Sequence, residues 1–147
     1  DGNQVKYDFI RPEEPNYSFT YKLVFKNKRL VIIDYPNSFY MAIKSVFAFE
    51  SLALLGQAEI PTNKIWSVKN KGGQLNAVPT KGEILKIFGP PTVQSNFSDS
   101  DILHYHYQHP TTEALQKIKV SLTFDNKSDL MTELFLQLPD RKWAISF

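Results

Sequence analysis

The chain of 147 residues contains no cysteine, which excludes disulfides, thiol nucleophiles and thiolate metal sites. It also lacks an excess of charge of either sign. Lysine and arginine number 17 against 15 aspartates and glutamates, a net charge of +2, too small a field to recruit nucleic acid or an anionic bilayer by itself. Long apolar runs are missing too. The longest, residues 39–55, is broken by Lys44 and Glu50 and falls short of the roughly 20 residues that span a bilayer. Glycines number six, and the pair Gly72 and Gly73 stands outside the strand-to-helix setting of a phosphate cradle, so it reads as a turn. No serine occupies a nucleophile elbow. Asp99 with Asp101, and Glu13 with Glu14, lack an apolar neighbourhood that would raise a pKa for acid catalysis and read as loop solvation. No enzymatic activity is expected.

What is present points to a globular domain. The apolar share is 42% and the aromatic share 14%, and a chain of this length buries roughly two thirds of the surface that its unfolded form exposes. The mild basic clusters, Lys22, Lys26, Lys28 and Arg29, then Lys64, Lys69 and Lys71, read as solvated strand faces and turns. The chain opens at Asp1 with neither methionine nor a charged-then-apolar leader, as expected of a mature or trimmed form.

Residues 1–16 hold one short alternation, Val5, Tyr7 and Phe9, and then a proline- and glutamate-rich stretch, and are expected to form an N-terminal arm or edge strand. Residues 17–147 are expected to form a single α+β domain. Tyr17, Phe19, Tyr21, Leu23 and Phe25 alternate as in a half-buried strand, and Leu30 to Ile33 return as its hairpin partner. Pro36, Asn37 and Ser38 offer a start for one long helix over 39–55, with Gly56 placed to end it. Its apolar residues cover more than half its circumference, so it is expected to be largely buried. Residues 65–68 suggest a brief strand.

Residues 80–91 spell out a short helix. Thr80 and Glu83 have the spacing of a capping box; Ile84, Leu85, Ile87 and Phe88 share a face; Gly89 suits a left-handed end, and Pro90 and Pro91 cannot continue the helix. A three-stranded meander follows: Leu103, Tyr105 and Tyr107 in phase, then Ile118, Val120, Leu122 and Phe124, then residues 130–138. Trp143, Ile145 and Phe147 alternate once more, as a last strand or a segment packed across an edge. The predicted architecture is an antiparallel sheet packed on one side by two helices, with an additional N-terminal hairpin.

One cluster is chemically suggestive. His104, His106 and His109 are the only histidines. Strand positions two apart face the same way about 7 Å apart, close enough for two imidazoles to grip zinc or copper. His109, past the predicted strand end, is positioned to curl in as a third ligand. Because Leu103, Tyr105 and Tyr107 claim the core face, a solvated strand face is the favoured reading, with no cofactor expected. Among the aromatics, Tyr17, Tyr21, Tyr35, Trp66 and Trp143 are of the types that anchor interfaces, although each is more often simple packing.

The helix TKGEILKIFGPP at 80–91, followed by Leu103-x-Tyr105-x-Tyr107 and Leu122-x-Phe124-x-Asn126, resembles the repeat of small outer-membrane lipoproteins of the SmpA/OmlA (BamE) type. The likeness covers residues 78–138, and β-lactamase inhibitor protein repeats the same helix-then-meander plan. The resemblance implies a non-catalytic, exported protein-binding module, periplasmic or outer-membrane-associated. Its expected partner is another envelope protein rather than nucleic acid, and its only membrane contact a lipid anchor upstream of Asp1. The alternative is a small-ligand or metal carrier using the His104 and His106 strand face.

Overall fold

In the computed structural model, residues 3–27, 29–55, 65–69 and 76–147 are described. The expected end of the long helix at Gly56, the turn at Gly72 and Gly73, and Lys28, Lys64 and Lys71 lie outside them. Two sheets share one core. The smaller is antiparallel, in the order β1 (Asn3–Phe9), β2 (Phe19–Lys26), β3 (Arg29–Asp34). The larger takes in β4 (Ile65–Lys69), β5 (Val93–Asn96), β6 (Ser100–Pro110), β7 (Leu115–Asp125), β8 (Met131–Gln137) and β9 (Lys142–Ser146). Its spatial order is β4-β9-β8-β7-β6-β5, antiparallel throughout except that β4 runs parallel to β9.

This corrects the predicted α+β architecture. The protein is mostly β, and strand residues outnumber helical ones by more than two to one. The N-terminal hairpin is no appendage: β1 joins it along seven paired positions, from Asn3 opposite Phe25 to Phe9 opposite Phe19. The polar stretch after Pro91 conceals β5, whose alternation is masked because it pairs only at the edge of β6. The long helix divides into α1 (Asn37–Ala42) and α2 (Ser45–Leu55), separated at Ile43, which is extended with φ −99° and ψ 107°. A straight helix that is apolar on every side has no single face to bury. The break lets Phe39 pack on Phe19 and Phe88 while Phe47 reaches Phe147, with centroid separations of 5.0, 5.3 and 5.1 Å.

The third helix, α3 (Lys81–Phe88), begins as its sequence predicts. The Glu83 amide donates to Thr80 Oγ1 at 3.2 Å, and the Thr80 amide donates to Glu83 Oε2 at 2.9 Å. That second bond, ahead of other effects, holds the Glu83 carboxyl below its usual range. Ile84, Ile87 and Phe88 are buried against Leu103, Tyr105 and Tyr107 of β6 and Ile118, Leu122 and Phe124 of β7.

The C-terminal end of α3 is where the two sheets are joined. Gly89 has φ 69° and ψ −160°, a glycine-only conformation distinct from the left-handed helical one expected, and a Cβ there would run into the Tyr17 ring. Arg11, between the sheets, is 1% exposed. Its Nη1 donates to the Phe88 carbonyl at 2.6 Å and its Nη2 to the Pro90 carbonyl at 2.7 Å. Its guanidinium lies 5.3 Å from the centre of the Tyr105 ring, and the Tyr105 hydroxyl donates to the Gly89 carbonyl at 3.1 Å. The Phe88 carbonyl that the helix end leaves unpaired, at the negative end of the dipole, and the Pro90 carbonyl just beyond it thus take the place of a carboxylate in stabilising a buried cation. Burial pushes the Tyr105 hydroxyl up to about 12 despite the opposing effect of Arg11. Ile10 completes the joint by exchanging backbone hydrogen bonds with Gln108 of β6, at 2.9 and 2.8 Å.

Arg11→Met should lower unfolding free energy by about 1–3 kcal/mol, since the buried Phe88 carbonyl loses its donor. Urea melts of the two proteins measure it, and equal midpoints would refute the role. Gly89→Ala should cost about 1–3 kcal/mol in backbone strain plus the clash. In the Tyr17→Ala background only the clash component should disappear, which a double-mutant cycle separates.

Candidate functional site

Alternation assigns each face of the large sheet. One face carries Leu103, Tyr105 and Tyr107 of β6, in register with Leu122, Val120 and Ile118 of β7, and then Leu134 and Leu136 of β8. The helices and the small sheet contribute to the cluster on that side. The opposite, outer face carries His104 and His106, with their partners Ser121 and Lys119, then Phe135 and Gln137, then Ala144 and Lys142.

The histidine cluster is divided by this geometry. His104 and His106 share the outer face as predicted. His109 does not join them: β6 extends through Pro110 without a break in register, which puts His109 on the core side. There its Nδ1–H donates to the Asp8 carbonyl at 2.9 Å and its ring lies 5.5 Å from that of Tyr7, so it helps fasten β1 to β6. Among the described residues no group of three or more His, Cys, Asp or Glu side chains is placed to hold a metal ion. His104 Nδ1 is 2.8 Å from Ser121 Oγ and its Nε2 is 3.5 Å from Ser95 Oγ. A zinc or copper ion bound there would displace one of those contacts.

A serine within hydrogen-bond reach of an imidazole is also the first requirement of a nucleophile and base. Ser121, however, is only 8% exposed, and it sits within paired strands whose amides are engaged in the ladder and are unavailable to an oxyanion. The arrangement fixes the His104 ring rather than activating a hydroxyl.

Electrostatics distinguish the outer face more clearly. Burial, then Lys119, then His106 hold the His104 pKa below its ordinary 6.5, so the imidazole experiences a positive local field. Lys117 and Lys119 form no ion pair among the described residues. Beside them runs a groove of about 350 Å³ whose lining includes Pro12, Glu13, His106, Lys117, Lys119 and Gln137. Sequence reading passed over Lys117 and Lys119 because isolated lysines on a strand look like ordinary solvation. Their register opposite His106 and Gln108 is what assembles them.

The aromatic residues considered for an interface are placed differently from one another. Tyr21 packs among Phe9, Phe19, Phe39 and Tyr35 at 5.0–5.6 Å, and Tyr35 stacks on Phe39 at 6.5 Å. Burial raises the Tyr21 hydroxyl pKa far above its usual value. Both rings are committed to the core. Trp143 is half-buried, and its Cα lies opposite that of Trp66 across the parallel β4 and β9 pair; the Trp66 side chain is outside the described residues. No known protein family, curated protein or solved structure matches the chain.

Lys119→Gln should raise the His104 pKa toward 6.5, read by NMR titration of the ring protons; an unchanged or lower value would contradict the assigned field. Because the folded-state value is depressed, the unfolded chain binds more protons at this site between that value and 6.5. This histidine's contribution to stability is therefore full above pH 6.5 and is lost as the pH falls through the folded-state pKa.

Proposed function

We propose that the protein is a non-catalytic protein-binding module of the cell envelope, and that it binds through the outer face of the large sheet. The observation that carries this reading is the inequality of the two faces. Helices and the small sheet contribute to the core on one side, whereas the other presents Phe135 and Ala144 and a groove whose lining includes His106, Lys117 and Lys119. A broad surface with a few apolar residues inside a polar, charged field is the anatomy of a non-obligate interface. The envelope location rests on the order of α3 and the β6-β7-β8 meander, the elements that carry the lipoprotein resemblance.

Thr123→Glu with Ala144→Glu, on the outer face, should abolish stoichiometric capture of a partner from an envelope extract while leaving the melting temperature within a few degrees of the parent. Val31→Arg, on the small sheet, should leave capture intact. Equal capture by both variants, or loss only with Val31→Arg, would move the interface elsewhere.

A further inference from the structure

The four outer-face lysines in the described strands are Lys69, Lys117, Lys119 and Lys142, and the corresponding carboxylates are Asp125 and Glu133. Four positive charges less two negative leave +2 on this face, equal to the net charge of the entire chain. Both carboxylates lie toward the Thr123 end of β7, which leaves Lys117 and Lys119 at its other end without an acidic neighbour in register. Lys117 and Lys119 project from β7 two residues apart, a separation of roughly 7 Å on an extended strand. Carboxylates at alternate positions of another extended strand have the same spacing. His106 stands directly opposite Lys119 on β6, and Gln137 supplies a polar wall next to it.

We infer that the groove on the outer face receives an extended acidic segment of a partner protein, its alternate carboxylates meeting Lys117 and Lys119. This inference rests on the protein-binding reading and adds the partner's chemistry to it. Charge complementarity selects an anion. The concavity favours a chain that can enter it over a flat anionic bilayer. Residues between the carboxylates contact the sheet or solvent, so specificity for them is weak, and binding is salt-sensitive because the lysines are exposed or half-exposed.

A fluorescein-labelled peptide of alternating glutamate and valine, titrated with the intact chain and followed by anisotropy, tests the inference. Saturable binding is expected, weakened about tenfold or more by Lys117→Gln with Lys119→Gln, and nearly lost when glutamine replaces glutamate in the peptide. The melting temperature of the double variant should match that of the parent. No saturable binding, equal affinity for the glutamine peptide, or insensitivity to the double variant would each overturn it. So would binding to phosphatidylserine vesicles without binding to the peptide, which would assign the charge to a membrane surface. If the acidic peptide fails while the outer-face glutamate substitutions still abolish capture, the partner's chemistry is wrong and the binding face stands. If capture is also indifferent to those variants, both readings fall.

Discussion

A single buried guanidinium governs how the parts of this molecule relate. Arg11 has no carboxylate partner in its bonds; it is stabilised by the Phe88 and Pro90 carbonyls and the Tyr105 ring. Such a cation can be buried only if the helix end is already in place, and the helix end leaves orphan carbonyls unless a donor arrives. Each side therefore depends on the other. The donor comes from the segment after β1, and the acceptors lie 77 and 79 positions away in sequence. The small sheet, α3 and β6 are thus joined by polar groups at the centre of an otherwise aromatic core, where apolar packing alone would leave their relative placement free to slide. Gly89 is required by the same junction, because the Tyr17 ring fills the space in which any side chain would sit.

Much of this architecture was legible in the sequence. The capping box at Thr80 and Glu83, the phase of Leu103, Tyr105 and Tyr107, and the β2 and β3 hairpin all depend on local chemistry and are found where expected. The balance of helix and sheet was not legible, for identifiable reasons. Residues 39–55 read as one helix because propensity is summed along the chain, whereas the break at Ile43 is set by the separate positions of Phe88 and Phe147. Strand β5 is polar because only one of its edges is paired. Arg11 lies in a proline- and glutamate-rich stretch that has the composition of a linker, and nothing local marks it as the most deeply buried charge among the described residues.

The candidate site shows the same division. Alternation correctly put His104 and His106 on the side away from the core, yet the third histidine belongs to the opposite face because β6 continues past the point where its apolar alternation stops. The contribution of Lys119 to the positive field around His104 comes from β7 and is visible only through cross-strand register. Residue types can be read locally; their assembly into a surface depends on pairings made across the sheet.

The irregularity between β2 and β3 bears on a different hazard. Strand β3 is the outermost strand of the small sheet, and it presents Val31 at 54% and Ile32 at 53% exposure. A regular edge with that composition would be a template on which identical chains could add strand after strand. The register shift that sets Val24 opposite Ile32 but Phe25 opposite Leu30 puts an extra residue into the edge, and Lys22 pairs with Asp34 at 3.8 Å near its far end. An out-of-phase backbone cannot dock a flat copy of itself along its length. The same bulge that makes the hairpin irregular therefore keeps β3 from presenting a regular edge to a second copy of the chain.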